Sequence, residues 1–179
     1  MVRRVAAILA AVLLLTTPLA SAGEPPILTL SGAIAESNRG PSSEDDFTML
    51  GAHDIAFDSA FAVTRADIAA LPQVTVTAPL GQDGADAIFT GPLLRDVLAL
   101  AGSAGDSIMV TALDGYGVPM EIAFMEAHAP ILAIEADGAS LAIGDYGPAM
   151  VIFAPTTDPD LQELFNGLQV WAVFHIGVE

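Results

Sequence analysis

The groups that could carry chemistry in this chain are mostly carboxylates. The 179 residues include 22 Asp and Glu but no Cys, so a thiolate nucleophile and a thiolate metal ligand are both excluded. The histidines, His53, His128 and His175, stand far apart, and none has the His-x-x-x-His or Glu-x-x-His spacing of a metal-binding helix. A single histidine can still sense pH in an exported protein, because its charge changes near neutral pH. The sequence therefore predicts no metal site.

Motifs for nucleophilic catalysis and nucleotide binding are also missing from the sequence. No Gly-x-Ser-x-Gly segment is present to expose a serine on a strand-to-helix turn. The pair Gly115 and Gly117 lacks the third glycine and the following helix of a phosphate-binding loop. Neither serine hydrolase chemistry nor nucleotide binding is indicated.

The fixed charge of the chain is strongly negative. Arginines are the only fixed cations, and the formal net charge is −17. Beyond residue 22 only Arg39, Arg65 and Arg95 remain against all 22 acidic residues, which leaves −19 (3 − 22). Nucleic acids and anionic lipids are bound chiefly through Lys and Arg, so neither is an expected partner. Such a surface favours solubility and repels polyanionic ligands.

Residues 1–22 have the pattern of a cleaved signal peptide. A pair of arginines precedes the apolar run Val5–Leu15, and Ala20–Ala22 offers a small-x-small cleavage pattern. The run is too short to span a bilayer, so we expect export with cleavage rather than a membrane anchor. No polar motif follows the arginine pair, which favours unfolded export over the twin-arginine route. We expect a periplasmic or secreted protein, free of the membrane after cleavage, with a single domain over residues 23–179.

Short strands dominate the pattern after the signal peptide. Strands are predicted at Ile27–Ser31, Val74–Ala78, Ile108–Leu113, Ile131–Glu135, Ser140–Ile143, Ala149–Phe153 and Gln169–Val178. Asp137 and Gly138, between two of these strands, are a hairpin turn signal. Residues 36–46 and 81–86 are polar and rich in turn formers, so they are expected as loops.

Three short helices are predicted between the strands. Thr64 and Asp67 have the spacing of a helix cap, and Asp158 caps another helix that runs to about Phe165. Pro92 is expected at the first position of a further helix, with Arg95 on its solvent face. Because strands and helices do not alternate regularly, we predict an α+β fold with mixed β-sheets and a few short helices.

Five segments resemble one known family in their order and spacing. They are Phe89–Leu98, Asp114–Ile122, Ile131–Gly138, Gly144–Pro155 and Gln169–Trp171. Together they resemble the molybdopterin-binding oxidoreductase domain, the catalytic domain of the sulfite oxidase family. The resemblance covers most of residues 23–179 and implies the fold of that domain. It also implies that Tyr116 stands where the family has a substrate-pocket Tyr, whose phenol can donate a hydrogen bond to an oxyanion.

The chain departs from that family where the cofactor would be held. The resemblance places a molybdenum-binding thiolate in the region that is Pro79–Asp86 here, and the chain has no cysteine. A His and an Arg would hold the pterin's phosphate arm from the segment that here contains Tyr146 and Met150. The family's Lys-Trp pair before the last strand is Val170 and Trp171. Each charge-assisted phosphate contact is worth about 1.5–3 kcal/mol, so losing three would weaken pterin binding by several orders of magnitude.

These departures lead to the main hypothesis about function. The chain is expected to be an exported domain of this fold without molybdopterin, which binds or senses an unknown small ligand or an exported partner protein. The candidate pocket residues are Tyr116, Tyr146, Trp171 and Arg95.

Two alternatives remain open from the sequence. The first is a molybdopterin-dependent oxidoreductase in which a carboxylate, Asp83 or Asp86, replaces the thiolate. The second is a purely structural or partner-binding exported protein. If Arg39, Arg65 and Arg95 together surround the cofactor cleft, the redox enzyme becomes the favoured hypothesis, because they would supply the missing positive charge.

Overall fold

The structure is a computed structural model that describes residues 23–43, 47–80 and 84–179. The expected signal peptide, residues 1–22, lies outside the described residues, and so does Asp83. Within the described ranges no helix is both long and apolar enough to cross a bilayer.

Short strands and shorter helices make up the described part of the chain. The strands are β1 Pro26–Gly32, β2 Ala60–Thr64, β3 Gln73–Pro79, β4 Asp86–Pro92, β5 Ser107–Ala112, β6 Gly117–Glu121, β7 Ile131–Ala133, β8 Glu135–Ala136, β9 Ala139–Ser140, β10 Met150–Ile152 and β11 Val173–Val178. The helices are α1 Met49–Ala52, α2 Arg65–Ala70, α3 Leu94–Ala99, α4 Ile122–His128 and α5 Pro159–Leu168. The predicted α+β class is confirmed.

The largest sheet joins the two ends of the domain. Its strand order is β2-β1-β11-β5-β6. The pair β1 and β11 is parallel and the other neighbours are antiparallel, so the sheet is mixed. Along β1, Leu28 and Leu30 belong to the main core. Because side chains alternate along a strand, Thr29 and Ser31 lie on the opposite face.

That opposite face of the large sheet is polar and nevertheless buried. Thr29 pairs in register with His175 on β11, and His175 in turn pairs with Thr111 on β5. Directly paired residues share a face of the sheet, so Thr29, Ser31, Thr111 and His175 form one row, called here the polar face. All four are less than 10% exposed. Arg39 contacts this face, since its guanidinium donates a hydrogen bond to Thr29.

The other face of the large sheet carries the main hydrophobic core. Helices α3, α4 and α5 contribute Leu94, Val97, Met125 and Phe165 to it. Phe153 and Phe165 stack at 4.6 Å between ring centroids. This core packs against one side of the large sheet, and the polar face lies on the other side.

A second layer is formed by the sheet β3-β4-β8-β9 and the strand pair β10-β7. Its own apolar cluster includes Phe89, Ile152 and the fully buried Met150. Gly91 on β4 passes so close to β7 that a Cβ atom would lie 2.0 Å from the carbonyl oxygen of Leu132. Only glycine permits this approach between the strands.

Local sequence signals are confirmed where the interacting groups are close in the chain. The N–H of Asp67 donates to Thr64 Oγ1 at 3.1 Å and the N–H of Thr64 donates to Asp67 Oδ2 at 2.9 Å, so α2 has the predicted capping box. Asp158 caps α5 as expected. Asp137 and Gly138 have φ values of 50° and 75° and connect β8 to β9, which confirms the hairpin turn.

Several predicted boundaries are wrong. Pro92 does not begin a helix: β4 runs from Asp86 to Pro92, and α3 begins at Leu94. Pro92 is the last strand residue, paired with Gln73, and a strand end tolerates a residue without an N–H donor. The predicted strand over 131–135 is split, because β7 pairs with β10 whereas β8 pairs with β4.

The hairpin return and the closing strand are also shorter than predicted. The strand expected over 140–143 is only β9, which ends at Ser140. The closing strand begins at Val173 rather than at residue 169. Ala172 has a φ of 51°, a left-handed conformation that interrupts the extended chain just before it.

Candidate ligand cleft

Two of the four predicted pocket residues meet in the structure. The rings of Tyr146 and Trp171 lie edge to face, with 5.1 Å between centroids and 83° between planes. The N–H of Ala172 donates to the carbonyl of Tyr146 at 2.9 Å, which holds the two segments together. Trp171 remains 41% exposed. The pair forms an aromatic surface feature.

Tyr116 and Arg95 have other partners. Tyr116 is half exposed, and its hydroxyl lies 3.5 Å from the carbonyl oxygen of Gly167 at the end of α5. Arg95 lies on α3 with its guanidinium 3.7 Å from the carboxylate of Asp96, and both side chains are well exposed. Arg95 therefore faces solvent, as predicted from the sequence.

A cleft of about 320 Å³ opens elsewhere, beside the N-terminal end of β1. Most of its lining is apolar, including Pro26, Met49, Ile143 and Phe174. Thr29, Thr48 and Arg39 are the polar lining residues. A second depression of about 380 Å³ has the side chain of Asp96 as its charged group, and that carboxylate already faces Arg95. The first cleft is the better candidate site, because no described carboxylate pairs with the guanidinium of Arg39 on its wall.

Arg39 holds a fixed place on the wall of the cleft. Its Nη1 donates to Thr29 Oγ1 at 2.9 Å, and its guanidinium carbon lies 5.9 Å from the ring centroid of Phe57. Its backbone forms a bridge with Ala60 on the edge strand β2. Within the described ranges no carboxylate lies within ion-pair distance of Arg39.

Arg65 is used differently, as a structural tie. Its Nη1 donates to the carbonyl of Ile134 at 2.8 Å, and its Nη2 donates to those of Leu141 and Pro148 at 2.9 and 3.1 Å. One guanidinium thus fastens the start of α2 to the loops around β8 and β10. The three arginines therefore bond to three separate sets of groups, and these contacts do not bring their guanidinium groups together around one cavity.

His175 lies behind the cleft on the polar face. Its Nε2 and Ser31 Oγ are hydrogen-bonded at 2.8 Å. Its Nδ1 is buried and has no hydrogen-bond partner among the described residues. Burial, with a smaller contribution from the positive charge of Arg39, lowers the pKa of His175 to about 4. The imidazole is therefore neutral at pH 7, and Arg39 is the cation of this region.

His53 contacts two of the residues that line the cleft. Its Nε2 is hydrogen-bonded to the carbonyl of Leu113 at 2.9 Å, and its ring lies 5.6 Å from that of Phe174. Leu113 and Phe174 both line the cleft. Gly115 leaves room for the imidazole, because a Cβ there would lie 2.9 Å from His53 Nδ1. His53 therefore supports the wall between the loop after β5 and the strand β11.

The sequence resemblance implies a phosphate-binding arginine in the segment that contains Pro148 and Met150. In the structure both residues have packing or hydrogen-bonding roles within the fold. Met150 is fully buried in the apolar cluster of the second layer. Pro148 lines the cleft and follows a cis peptide bond from Gly147, while its carbonyl accepts from Arg65. Among the residues that the structure describes, no group of three or more His, Cys, Asp or Glu side chains is placed to hold a metal ion.

The fold has a distant likeness among solved structures. The sulfane dehydrogenase SoxCD from Paracoccus pantotrophus aligns with a TM-score of 0.55 at 16% sequence identity, over 84% of this chain and 37% of that chain. This chain thus spans well under half of the protein that it resembles. The likeness supports a sulfite-oxidase-like α+β fold as a distant relationship, and at this identity it shows the fold alone. No protein-family model and no curated protein matches the chain.

Most residues that line the cleft have no recognisable signal in the sequence. Arg39 could be noticed there only as one of three cations after residue 22, although cations are so scarce in this chain that each one carries information. Thr29 and Phe174 had no signal at all, because they meet only through the pairing of the first strand with the last. Of the sequence candidates, Tyr146 and Trp171 lie next to Ala172, whose carbonyl accepts from Leu113 on the cleft wall.

Proposed function

We propose that this chain is an exported domain of sulfite-oxidase-like fold that binds a small ligand without molybdopterin, as a periplasmic binding or sensory module. The signal-peptide pattern of residues 1–22 supports export. The cleft at Arg39 supports ligand binding, since it is a concave, mostly apolar site with a few polar groups, as small-molecule sites generally are.

Met150 is the observation that best supports a domain without molybdopterin. In the family that the sequence resembles, an arginine at this point would reach the phosphate of the pterin. Here the side chain is a thioether, which cannot donate a hydrogen bond, and it is 0% exposed among apolar neighbours such as Phe89. Arg65 and Arg95 cannot substitute while they keep their present partners, three carbonyls and Asp96.

A carboxylate in place of the missing thiolate has less support. Asp86 is exposed at the start of β4, opposite Pro79 in the register of the sheet. A carboxylate is a hard oxygen ligand, whereas the missing thiolate is a soft sulfur ligand, so Asp86 is a poor chemical replacement for it. Asp83 lies outside the described residues.

The test is to produce the full-length chain in a bacterium that makes molybdopterin and to purify it from the periplasmic fraction. Mass spectrometry should find an N-terminus at Gly23, and elemental analysis should find molybdenum far below one atom per chain. A molybdopterin enzyme purified from the same cells is the positive control for cofactor supply. Stoichiometric molybdenum with pterin would overturn the cofactor-free proposal, and retention of residues 1–22 in the cytoplasm would overturn export.

A further inference from the structure

Arg39 stands out among the described cations because no described carboxylate lies within ion-pair distance of its guanidinium. Arg95 faces Asp96, and Arg65 donates to three carbonyls. Among the described residues, the guanidinium of Arg39 donates to the neutral hydroxyl of Thr29. A half-buried guanidinium that no described carboxylate neutralises is available to an anion from outside.

The guanidinium is already held in place for such an anion. The bond to Thr29 uses one of the five N–H donors of Arg39, and the ring of Phe57 lies beside the guanidinium. The remaining donors form a planar fork, which matches the two oxygens of a carboxylate. Because the side chain is fixed before binding, little rotamer entropy is lost on binding.

Thr48 offers a second donor on the wall of the cleft. Its Oγ1 accepts from the N–H of Gly51 at 3.2 Å as the N-cap of α1. The hydroxyl proton of Thr48 is not used in that bond, so it can donate to an oxygen of a ligand. The cleft therefore has a positive charge and a neutral donor, and no described carboxylate lines it.

The rest of the cleft restricts what can accompany the negative charge. Met49, Leu50, Ile143 and Phe174 are among the apolar side chains that line it, so the body of the ligand should be apolar. One cation balances one negative charge, and the net charge of −19 beyond residue 22 (3 − 22) opposes the entry of a second. A volume of about 320 Å³ is at the lower end for ligand sites, which selects a small molecule rather than a peptide.

We infer that this cleft takes a small monocarboxylate with an apolar body, whose carboxylate is held by Arg39. The inference rests on the proposed function as a binding domain and names the ligand class of that same site. Inorganic oxyanions such as sulfate lack the apolar body, and neutral apolar molecules lack the charge, so both classes should bind much more weakly.

The experiment is a titration of the mature protein, followed by amide NMR shifts and by calorimetry. The probes are hexanoate and benzoate, with the matched neutral molecules hexanol and benzyl alcohol, and with sulfate as an anion without an apolar body. At least one carboxylate should saturate with shifts that cluster around the cleft, at least tenfold more tightly than its neutral match. Failure of both carboxylates to bind below about 10 mM would overturn the inference.

Two matched pairs of variants locate the binding charge. Arg39→Gln and Arg95→Gln change the net charge equally, but only the first should weaken carboxylate binding, by at least tenfold. Equal affinities of the two variants would overturn the role of Arg39. Should Arg39→Gln fail to fold, Ile143→Glu keeps the test, since Ile143 lines the cleft and is 72% exposed. Ile143→Glu should repel the carboxylate at least severalfold relative to Ile143→Gln, and equal binding by the two would count against the inference.

The ligand titration and the molybdenum analysis can each overturn one proposal without the other. Molybdenum found in the purified protein would overturn the cofactor-free proposal whatever the titration shows. A metal-free protein that binds hexanoate and hexanol equally well would leave the cofactor-free binding proposal standing and overturn the carboxylate inference.

Discussion

Acid should weaken this protein through one buried side chain, His175. It is 5% exposed, and burial followed by the charge of Arg39 lowers its pKa from 6.5 to about 4. In the unfolded chain the imidazole regains its ordinary pKa. Between pH 6.5 and pH 4 the unfolded state therefore binds more protons than the folded state, so the free energy of unfolding falls as the pH falls through that range.

The size of the effect follows from the two pKa values. At pH 7.5 both states are nearly deprotonated at this group, so its contribution to the pH dependence is close to zero. At pH 5 the unfolded imidazole is mostly protonated and the folded one is mostly neutral, which costs about 2 kcal/mol of stability. Asp67, whose pKa is lowered by its hydrogen bonds to Thr64, loses its contribution only at more acidic pH, outside this interval.

The assay is urea unfolding of the mature protein at pH 7.5 and pH 5, for the native sequence and for His175→Gln. The native protein should lose about 2 kcal/mol more than the variant over this interval. Direct NMR titration of the imidazole should give a pKa well below 6.5, and Arg39→Gln should raise it partway, whereas Arg95→Gln should leave it unchanged. An imidazole that titrates near 6.5, or equal acid sensitivity of the native protein and His175→Gln, would refute the reasoning.

Three further substitutions test the packing, the helix cap and the structural arginine by urea unfolding. Gly91→Ala should lower the free energy of unfolding by at least about 2 kcal/mol, because the new Cβ would collide with the carbonyl of Leu132. The control Gly167→Ala, where the new Cβ in α5 has open space around it, should be neutral or stabilise the protein by up to about 1 kcal/mol. Thr64→Ala should cost about 1 kcal/mol through loss of the capping box, and a variant as stable as the native protein would contradict that assignment. Arg65→Met should cost about 3 kcal/mol or more, since it leaves three carbonyls without their donor, and a loss below about 1 kcal/mol would show that the tie is dispensable.

The parts of the fold that the sequence predicted correctly depend on groups close together in the chain. The capping box joins Thr64 to Asp67, three residues later, and the hairpin turn needs only Asp137 and Gly138. Such interactions form whatever the rest of the chain does, so a short window of sequence contains the whole cause. The α+β class followed for the same reason, since it required only the order and lengths of the elements.

The wrong and missing parts depend on partners far away in the chain. Pro92 has the local signal of a helix start, but pairing with Gln73 keeps it at the end of β4. Helix α4 begins after Glu121 without a side-chain cap, so it had no start signal to read. The polar face exists because β1 pairs with β11, which brings Ser31 to His175 across 144 residues. Nothing near either residue in the sequence indicates the other.

The three arginines after residue 22 show why a count of charges could not identify the site. A cation count treats Arg39, Arg65 and Arg95 as equivalent, and all three together around one cavity would have supplied the charge that a pterin phosphate needs. Arg65 instead donates its hydrogen bonds to backbone carbonyls, and Arg95 lies beside its neighbour Asp96. The guanidinium of Arg39, which has no described carboxylate as a partner, can balance a single negative charge on a ligand. The same scarcity of cations that argues against a metal–pterin complex therefore argues for a small monoanion.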